Sequence, residues 1–261
     1  MKNKLKNFGL CYICLISFSN NAEKFGDPGE IIAIKASSDD IDKYLTVEIN
    51  ESLYKLIPLP FEKQNESIYV NDEKININQK DFGESRITIK NDSMVNLSKE
   101  DSDRAFKESK IIQKALSNYS KFLIPDLNFI NPVEGVISSR YGKKRYINNQ
   151  PRSPHLSLDI AAAEGTKIIS PSKGKVILVG DFFYSGNFIV IDHGFGLIST
   201  YSHLSSVQVK ENEFIKKGQK IGEVGSTGRV TGPHLHWTVY LNKVRINPES
   251  IIQENFLESL L

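Results

Sequence analysis

The chain has 261 residues, of which 25% are charged and 39% hydrophobic, and its formal net charge is +2 at pH 7. A chain of this length can bury one large core or two moderate ones, and we expect two. The near balance of basic and acidic side chains argues against the strongly basic surface of a nucleic-acid-binding protein.

The first predicted element is a secretory signal peptide over residues 1–19, with a cut after Ala22 as the alternative. An uncharged apolar run at residues 8–18 follows three lysines and ends in small residues. The run is about half the roughly 20 residues that a membrane-spanning helix needs, so we expect export rather than a stable membrane span. Because Cys11 and Cys14 both lie in this segment, the exported chain would contain no thiol for disulfides, zinc binding or catalysis.

Residues 20–100 predict a small β-rich N-terminal domain. Short runs that alternate in polarity or are rich in β-branched residues are separated there by polar turn residues. These runs are EIIAIKA, KYLTVEI, LYKLIPL, ESIYV and SRITIKN. This part of the sequence contains no cluster of residues that indicates catalysis.

Residues 101–130 predict a helix and a linker between the two domains. Ser98 and Asp101 resemble a capping box, and apolar residues follow at loosely helical spacing, so we expect one helix at about 101–118. The next stretch contains two prolines and no helical periodicity, which favours a domain boundary near 125–131.

Residues 131–252 predict a second, mainly antiparallel β domain, followed by a C-terminal tail at 253–261. Strands are expected in GKVILVGDF, NFIVIDHG, LISTYSHL, QKIGEVG and HLHWTVYL, and LDIAAAEGT is expected to be a strand that runs into a turn. Residues 131–261 carry 15 basic and 11 acidic side chains, against 15 and 20 in residues 20–130. This difference would suit an anionic substrate, although two ordinary solvated surfaces explain it equally well.

The histidines of the chain all fall in this second domain, at positions 155, 193, 203, 234 and 236. His234 and His236 lie one residue apart on a predicted strand, so their side chains face the same way. Leu235 and Trp237 are expected to pack on the opposite side. Either histidine of the pair could bind a metal ion while the other contacts its water, and the spacing leaves both assignments open.

His155 and Asp159 form a second candidate metal-binding pair. On a fully extended strand they would lie about 13 Å apart, too far to share one zinc ion, so we expect the chain to bend between them. A helical turn would also bring them together, but Pro154 disfavours a helix at the preceding residue. A third element is TYSHL, in which Tyr201 and His203 share one face of a strand.

The segments PHLSLDIAA, IDHGFGLISTYSHL, KKGQKIGEVGSTGRVTGPHLHW and NPES carry HxxxD and HxH patterns in a fixed order. They resemble the catalytic domain of the zinc-dependent M23 peptidases, the LytM and lysostaphin group, from about Phe129 to Ile252. The resemblance implies a mainly β fold, in which an antiparallel LytM-type peptidase domain follows the small β domain and the linking helix. The upstream part is similar to exported bacterial M23 proteins that have a β-rich domain ahead of the peptidase.

The same resemblance implies a catalytic zinc site. His155, Asp159 and His236 would be the zinc ligands, and a water molecule in the fourth position would be the nucleophile. His203 and His234 fall where the family has its two catalytic histidines that do not bind the metal, and either of them could be the general base.

Several neighbouring residues are assigned from the same comparison. His193 matches a further family position, and we expect a structural role for it. Ser157 replaces the glycine that many relatives have between the HxxxD ligands, and a positive φ there would cost about 1 kcal/mol. The glycines of VGSTGRVTGPH are expected to allow tight turns before the HxH strand, with Thr227 and Thr231 able to hydrogen-bond the loop. Tyr184 is expected either on a loop beside the groove or as an exposed aromatic of a hairpin.

The implied function is zinc-dependent cleavage of peptide cross-links in bacterial cell-wall peptidoglycan by an exported enzyme of the periplasm or cell envelope. We expect cleavage between D-alanine and a diamino acid rather than between glycines. One alternative is a catalytically inactive M23-like regulator that activates another cell-wall hydrolase. Another is a lipoyl- or biotinyl-type carrier, but no hairpin offers the exposed lysine that such a carrier needs.

Overall fold

The computed structural model of the protein describes residues 23–260. The predicted signal peptide, with Cys11 and Cys14, lies outside the described residues. Within residues 23–260, no helix has both the length and the apolar character that crossing a membrane would require. The architecture is mainly β and most strand pairings are antiparallel, as the sequence predicts, although two pairings among the described strands are parallel.

The N-terminal half contains two small sheets and a further strand that joins a sheet of the second half. Its strands are β1 (Lys24–Gly26), β2 (Ile31–Lys35), β3 (Thr46–Ile49), β4 (Ser52–Pro58), β5 (Ser67–Val70), β6 (Glu73–Ile77) and β7 (Glu84–Ile87). Strands β2, β4 and β3 pair antiparallel, and β6 pairs antiparallel with β5 and parallel with β1. All five predicted runs form strands. Strands β1 and β6 were not predicted.

Helix α1 (Lys99–Leu116) links the two halves and begins and ends two residues before the predicted bounds. The Ser98 hydroxyl starts it by accepting a hydrogen bond from the Asp101 N–H at 3.0 Å, which satisfies one of the free donors of the first turn. Ile112 and Leu116 pack on aromatic side chains of the second half, so the helix lies against that domain. Short 3-10 turns cover Ser38–Asp40, Phe61–Lys63, Asp92–Met94 and Glu258–Leu260.

The second half is organised around one sheet of ten strands. The strands of this half are β8 (Val136–Ser139), β9 (Lys143–Ile147), β10 (Gln150–His155), β11 (Leu158–Ala161), β12 (Lys167–Ile169), β13 (Gly174–Phe182), β14 (Gly186–Gly194), β15 (Leu197–Val207), β16 (Phe214–Ile215), β17 (Lys220–Val224), β18 (His234–Leu241) and β19 (Val244–Ile246), and helix α2 (Pro248–Ile251) follows. The main path of the sheet runs β16-β13-β14-β15-β18-β11-β8, with every pairing antiparallel. Strand β17 joins β12 and β15, and β19 joins β18.

Strand β18 has one face in the core and the other in a groove. Leu235 and Trp237 are 0% exposed, whereas His234 and His236 are half-buried on the other face. The predicted alternation is therefore confirmed. Complete burial of a large apolar side chain contributes about 1.5–3 kcal/mol, so this face of the strand is strongly held towards the core.

The sequence analysis missed the hairpin formed by β9 and β10. Its strands pair antiparallel, and β9 also pairs in parallel with β7, placing Arg145 opposite Ser85. The segment KKRYINNQPRSPH contains charges and prolines but no polar–apolar alternation, so its strand character comes from pairing with distant residues. The hairpin turn uses Asn148 and Asn149 at φ values of 49° and 62°, a region that asparagine tolerates better than most residues.

His193, for which a structural role is expected, lies in the core at the end of β14 and is 0% exposed. Its Nδ1 is 2.7 Å from the Lys173 carbonyl oxygen and its Nε2 is 2.8 Å from the Ser199 hydroxyl. Its ring also contacts Phe129 edge to face, at 5.0 Å between centroids. Burial lowers the pKa of His193 to about 4, so the imidazole is neutral at physiological pH.

We expect His193 to make folding sensitive to acid. A histidine has a pKa of about 6.5 in the unfolded chain, so the unfolded state binds the extra proton first as the pH falls. Its contribution is complete above pH 6.5 and is lost as the pH falls towards 4. His193→Gln should therefore remove on the order of 3 kcal/mol of the decline in unfolding free energy between pH 7 and 4. Urea unfolding of both metal-free proteins across this range measures the difference, and equal declines would contradict the prediction.

Candidate metal centre

The pairing of β11 with β18 brings the two halves of the candidate site together. Asp159 lies directly opposite His236, and Ala161 lies opposite His234. Side chains of directly opposed residues have Cβ atoms about 4.5–5.5 Å apart and share one face of the sheet. The carboxylate and the HxH imidazoles therefore meet without any contribution from a loop.

His155 reaches the same point from the end of β10. Leu156 and Ser157 separate β10 from β11, and this short break provides the bend predicted between His155 and Asp159. Ser157 is not among the residues with positive φ, so the strain considered for serine at this position does not arise. Its hydroxyl instead lies 2.7 Å from the Thr238 hydroxyl, which ties the bend to β18.

Three potential ligand atoms, one each from His155, Asp159 and His236, lie close together. Asp159 Oδ1 lies 3.0 Å from His155 Nε2 and 2.6 Å from His236 Nδ1, and the two nitrogens are 3.4 Å apart. Zinc bound tetrahedrally at about 2.0–2.1 Å keeps its ligand atoms roughly 3.3 Å apart. The two nitrogens already have this spacing, and a small outward shift of the carboxylate completes it. The residues present therefore fit a zinc ion.

The hydrogen bonds of His155 orient it as a ligand. Its Nδ1 lies 3.1 Å from the Arg140 carbonyl oxygen, an acceptor, and 3.2 Å from the Ser139 hydroxyl. A proton on Nδ1 that is donated to this carbonyl leaves the lone pair of Nε2 directed at Asp159. The side chain is 1% exposed, so its position is fixed by packing as well.

His203 and His234 stand beside the three ligand atoms as a second pair. Their ring centroids are 4.9 Å apart, and the rings of His203 and His236 are 5.7 Å apart. His203 Nδ1 is 2.9 Å from the Thr227 carbonyl oxygen, and His234 Nδ1 is 2.9 Å from that of Gly232. Each ring can therefore donate its Nδ1 proton to the backbone, which leaves Nε2 without a proton.

Two overlapping groups of residues could hold a metal ion in the described chain. One is His155, Asp159 and His236, and the other is His203, His234 and His236. The first group combines one carboxylate with two imidazoles and matches the sequence-based assignment. His236 belongs to both groups, so it cannot by itself distinguish between them.

His203 occupies a backbone conformation that the sequence did not predict. Its φ is 69°, in the left-handed region that non-glycine residues rarely adopt. The pairing of β14 with β15 is irregular between Tyr201 and Leu204, so His203 lies within a β-bulge. Bulges turn a side chain away from the normal alternation, and here the bulge directs the imidazole to the site. The prediction that Tyr201 and His203 share one face is therefore wrong, because Tyr201 lies opposite Trp237 in the core. Nearby, Thr227 holds its loop by donating its hydroxyl to the Leu204 carbonyl at 2.9 Å, as predicted.

Burial and neighbouring charges set the protonation of the site. Burial alone would raise the pKa of Asp159, but His236 and His155 outweigh it and hold the pKa well below its usual range. Burial lowers the pKa of His236 to about 4, although Asp159 opposes this shift. Burial, together with His236 and His234, also holds the pKa of His203 well below its usual range. An ionised Asp159 beside neutral imidazoles is the state that binds a divalent metal ion.

The site opens into a groove of about 500 Å³. Tyr184 lies on the loop between β13 and β14 and lines the groove, as the sequence analysis expected. Residues of the N-terminal half, Ser85 and Ile87 on β7 and Ile89 after it, line the same groove. The groove is therefore formed by both halves of the chain.

Arg145 is a site residue that the sequence analysis missed. It lies on β9, and its Nη2 is 3.7 Å from Asp159 Oδ2, on the side of the carboxylate that faces away from the imidazoles. Burial lowers the pKa of Arg145, and the nearby Asp159 carboxylate opposes that shift. No local pattern marks this arginine, because its approach to Asp159 depends on the pairing of β9 with β7.

Residues 153–248 match the sequence family described as Peptidase family M23. The chain is 38% identical over 112 residues to peptidoglycan DD-endopeptidase ShyA of Vibrio cholerae, and 44% identical over 86 residues to ShyB of the same organism. These matches cover 42% and 33% of this chain but 26% and 20% of the two relatives. A crystal structure from Pseudomonas aeruginosa, assigned to peptidase M23, has a TM-score of 0.66 at 28% identity and covers 86% of this chain and 94% of that chain.

These similarities differ in extent. The chain spans about a quarter or less of the length of the two Vibrio cholerae relatives. The likeness to the Pseudomonas aeruginosa structure extends beyond residues 153–248 into the N-terminal half, because it covers 86% of this chain. The fold of both halves is thus shared with a solved structure.

Replacing one histidine from each of the two groups should show which group binds the zinc ion. We expect His155→Ala to weaken zinc binding by more than about 100-fold, since the loss of a supporting residue alone typically costs 10- to 100-fold. His234→Ala should bind zinc within about threefold of the unchanged protein, since His234 is predicted not to be a ligand. Competition with a chromogenic chelator gives both affinities. Strong loss in His234→Ala with retention in His155→Ala would assign the ion to the other group.

Proposed function

We propose that this protein is a zinc-dependent endopeptidase that cleaves the peptide cross-links of bacterial cell-wall peptidoglycan, a proposal supported by the match of residues 153–248 to peptidase family M23. The observation that supports this most directly is the convergence of His155, Asp159 and His236, of which Asp159 and His236 line an open groove together with two further histidines. Three protein ligands leave one position of a tetrahedral zinc ion free, as in catalytic rather than structural zinc sites.

The chain's own residues supply proton transfer and orientation. When bound, zinc would polarise the scissile carbonyl and lower the pKa of a water molecule to about 7. His203 and His234 present Nε2 atoms that can accept a proton and return it to the leaving amine, because their Nδ1 protons are donated to the backbone. A positioned acid or base of this kind contributes typically about 10² to 10⁴ in rate.

The site also favours the protonation states that this chemistry needs. The depressed pKa of His203 keeps its imidazole neutral near pH 7, so it can act as a base without first losing a proton. The carbonyl oxygens of Thr227 and Gly232 fix one tautomer in each ring. Either ring can serve as the base, and a ring that carries a proton on Nε2 can donate a hydrogen bond to the developing oxyanion.

The proposed bond joins D-alanine to a diamino acid of a neighbouring stem peptide. Two relatives of the second half are named peptidoglycan DD-endopeptidases, which supports this bond over a glycyl-glycine bond. The predicted signal peptide at residues 1–19 would export the enzyme to the periplasm or cell envelope, where it would meet this polymer. A groove open to solvent suits an extended peptide that belongs to a large network.

Digestion of purified cross-linked peptidoglycan tests the activity. We expect the zinc-loaded protein to convert dimeric muropeptides into monomers by hydrolysis of the D-alanyl bond, and a chelator should stop the reaction. Mass spectrometry of the products identifies the bond, and readdition of zinc should restore cleavage. If folded, zinc-loaded protein leaves the dimers intact, the catalytic proposal is wrong and a regulatory role in cell-wall hydrolysis is favoured instead.

Turnover should depend on the two histidines that do not bind zinc in this proposal. We expect His203→Ala and His234→Ala each to reduce kcat by about 10² to 10⁴, because each loses a proton-transfer or oxyanion-stabilising group. Zinc content should stay at one ion per chain in both variants. A Lys210→Ala variant, altered at an exposed position outside the groove, serves as the control. Full turnover in either histidine variant would remove that residue from the mechanism.

A further inference from the structure

Beside the metal centre lies a cavity of about 430 Å³ whose charge the peptidase chemistry does not explain. Arg145, Arg152, Arg229 and Arg245 line it, together with His155 and His236, and we call it the arginine pocket. No aspartate or glutamate is among the described residues that line this pocket. The arginines come from β9, β10, the loop before β18, and β19, so the fold brings together residues that are distant in sequence.

The positive charges of the arginine pocket are poorly compensated. Among the described residues, the single ion pair within 4.0 Å that involves any of these arginines is that of Arg145 with Asp159, at 3.7 Å. The Asp159 carboxylate is also a candidate metal ligand, so a bound metal ion would compete with Arg145 for its negative charge. The Nε of Arg145 is buried and has no hydrogen-bond partner in the described part of the chain. A buried donor without a partner is destabilising, and an incoming acceptor would remove that penalty.

Arg229 has no counter-ion within 4.0 Å in the part of the chain that the structure describes, and an aromatic ring holds it in place. Its guanidinium lies 4.2 Å from the centroid of the Tyr184 ring, which fixes the plane of the side chain. Burial lowers the pKa of Arg229, and the positive charges of Arg145 and Arg152 lower it further, so the three charges lie close enough to repel one another. An anion between them would relieve this repulsion.

Within the described residues, Arg152 is oriented by neutral groups alone. It donates to Gln150 Oε1 at 2.6 Å and to the backbone carbonyls of Pro151 and Val95 at 3.1 and 3.5 Å. These contacts hold the guanidinium at the rim of the pocket but leave its charge uncompensated. The pocket therefore has fixed cationic walls before any ligand binds, which reduces the entropic cost of binding.

We propose that the arginine pocket binds a free carboxylate of the peptide substrate, with Arg145 and Arg229 as its principal contacts. The planar fork of a guanidinium matches the two oxygens of a carboxylate, and such charged hydrogen bonds are about twice as strong as neutral ones. The inference rests on the proposed peptidase function, because the pocket adjoins His155 and His236 and would hold residues next to the scissile bond. It makes both arginines determinants of specificity rather than catalytic residues.

Matched peptides that differ in a single carboxyl group test the proposal. The substrate is a cross-linked stem-peptide dimer with its carboxylates free, compared with the same dimer amidated either at the chain end or at the carboxyl next to the scissile bond. Wild-type, zinc-loaded protein should prefer the free acid over one of the two amides by roughly 10- to 100-fold in kcat/KM. The amidated dimer with the reduced kcat/KM shows which of the two carboxylates is bound.

Arg229→Gln is the decisive variant, because Arg229 makes no ion pair with Asp159 within the described residues. It should reduce the preference for the acid to less than about threefold, mainly through KM, while its zinc content and its kcat for the amidated dimer remain unchanged. Arg145→Gln should lose the preference for the acid to the same extent. Arg145→Lys should lose it only in part, because lysine keeps the charge but not the planar fork. Arg86→Gln is the matched control, since Arg86 stacks on Tyr146 at 4.1 Å outside the pocket.

A binding measurement separates this proposal from the proposed activity. Isothermal titration calorimetry with an uncross-linked stem peptide, as acid and as amide, needs no cleavage and should show the same preference in the wild type and its loss in Arg229→Gln. Equal affinity for acid and amide in the wild type, or an unchanged preference in Arg229→Gln, would overturn the arginine pocket as a carboxylate site. Absence of cleavage together with selective binding would instead reject the peptidase activity alone.

Discussion

The register of β11 against β18 is the constraint on which the rest of the site depends. It places Asp159 opposite His236, and it leaves His234 on the same face two residues away. A slip of one residue would turn both imidazoles towards the core and expose Trp237. Because Leu235 and Trp237 are fully buried, the hydrophobic effect holds the register that the metal site requires. The geometry of the polar site is therefore a consequence of apolar packing on the reverse face of one strand.

Local sequence patterns were sufficient to predict the strands whose apolar residues follow a simple periodicity. The long strands β13, β14, β15 and β18 were predicted because their apolar residues alternate or run continuously between turns. The HxH pair was predicted to share a face for the same reason. The bend between His155 and Asp159 followed from a distance argument alone, since no extended strand could bring them together. These features need only neighbouring residues, so one sequence is enough to find them.

Other features depend on contacts between distant parts of the chain and could not be predicted in this way. The charged segment of β9 and β10 becomes a hairpin because β9 can pair with β7, about sixty residues earlier. The positive φ of His203 arises from a bulge in the pairing of β14 with β15, which no local motif indicates. Arg145 illustrates the result, because its place beside Asp159 follows from the first of these pairings. Long-range pairing thus determines how the candidate ligands meet and what surrounds them, while the local HxxxD and HxH patterns identify which residues they are.

The two halves of the chain are separate in sequence, but residues of both form the groove. Strand β7 of the N-terminal half holds β9 in place, with Ser85 opposite Arg145, and it contributes Ser85 and Ile87 to the groove wall. The residues that face the metal centre across β11 and β18 belong to the second half alone. A substrate bound in the groove would therefore contact both halves, although the reacting groups come from one. The fold thus separates the residues that perform the proposed chemistry from those that shape access to it.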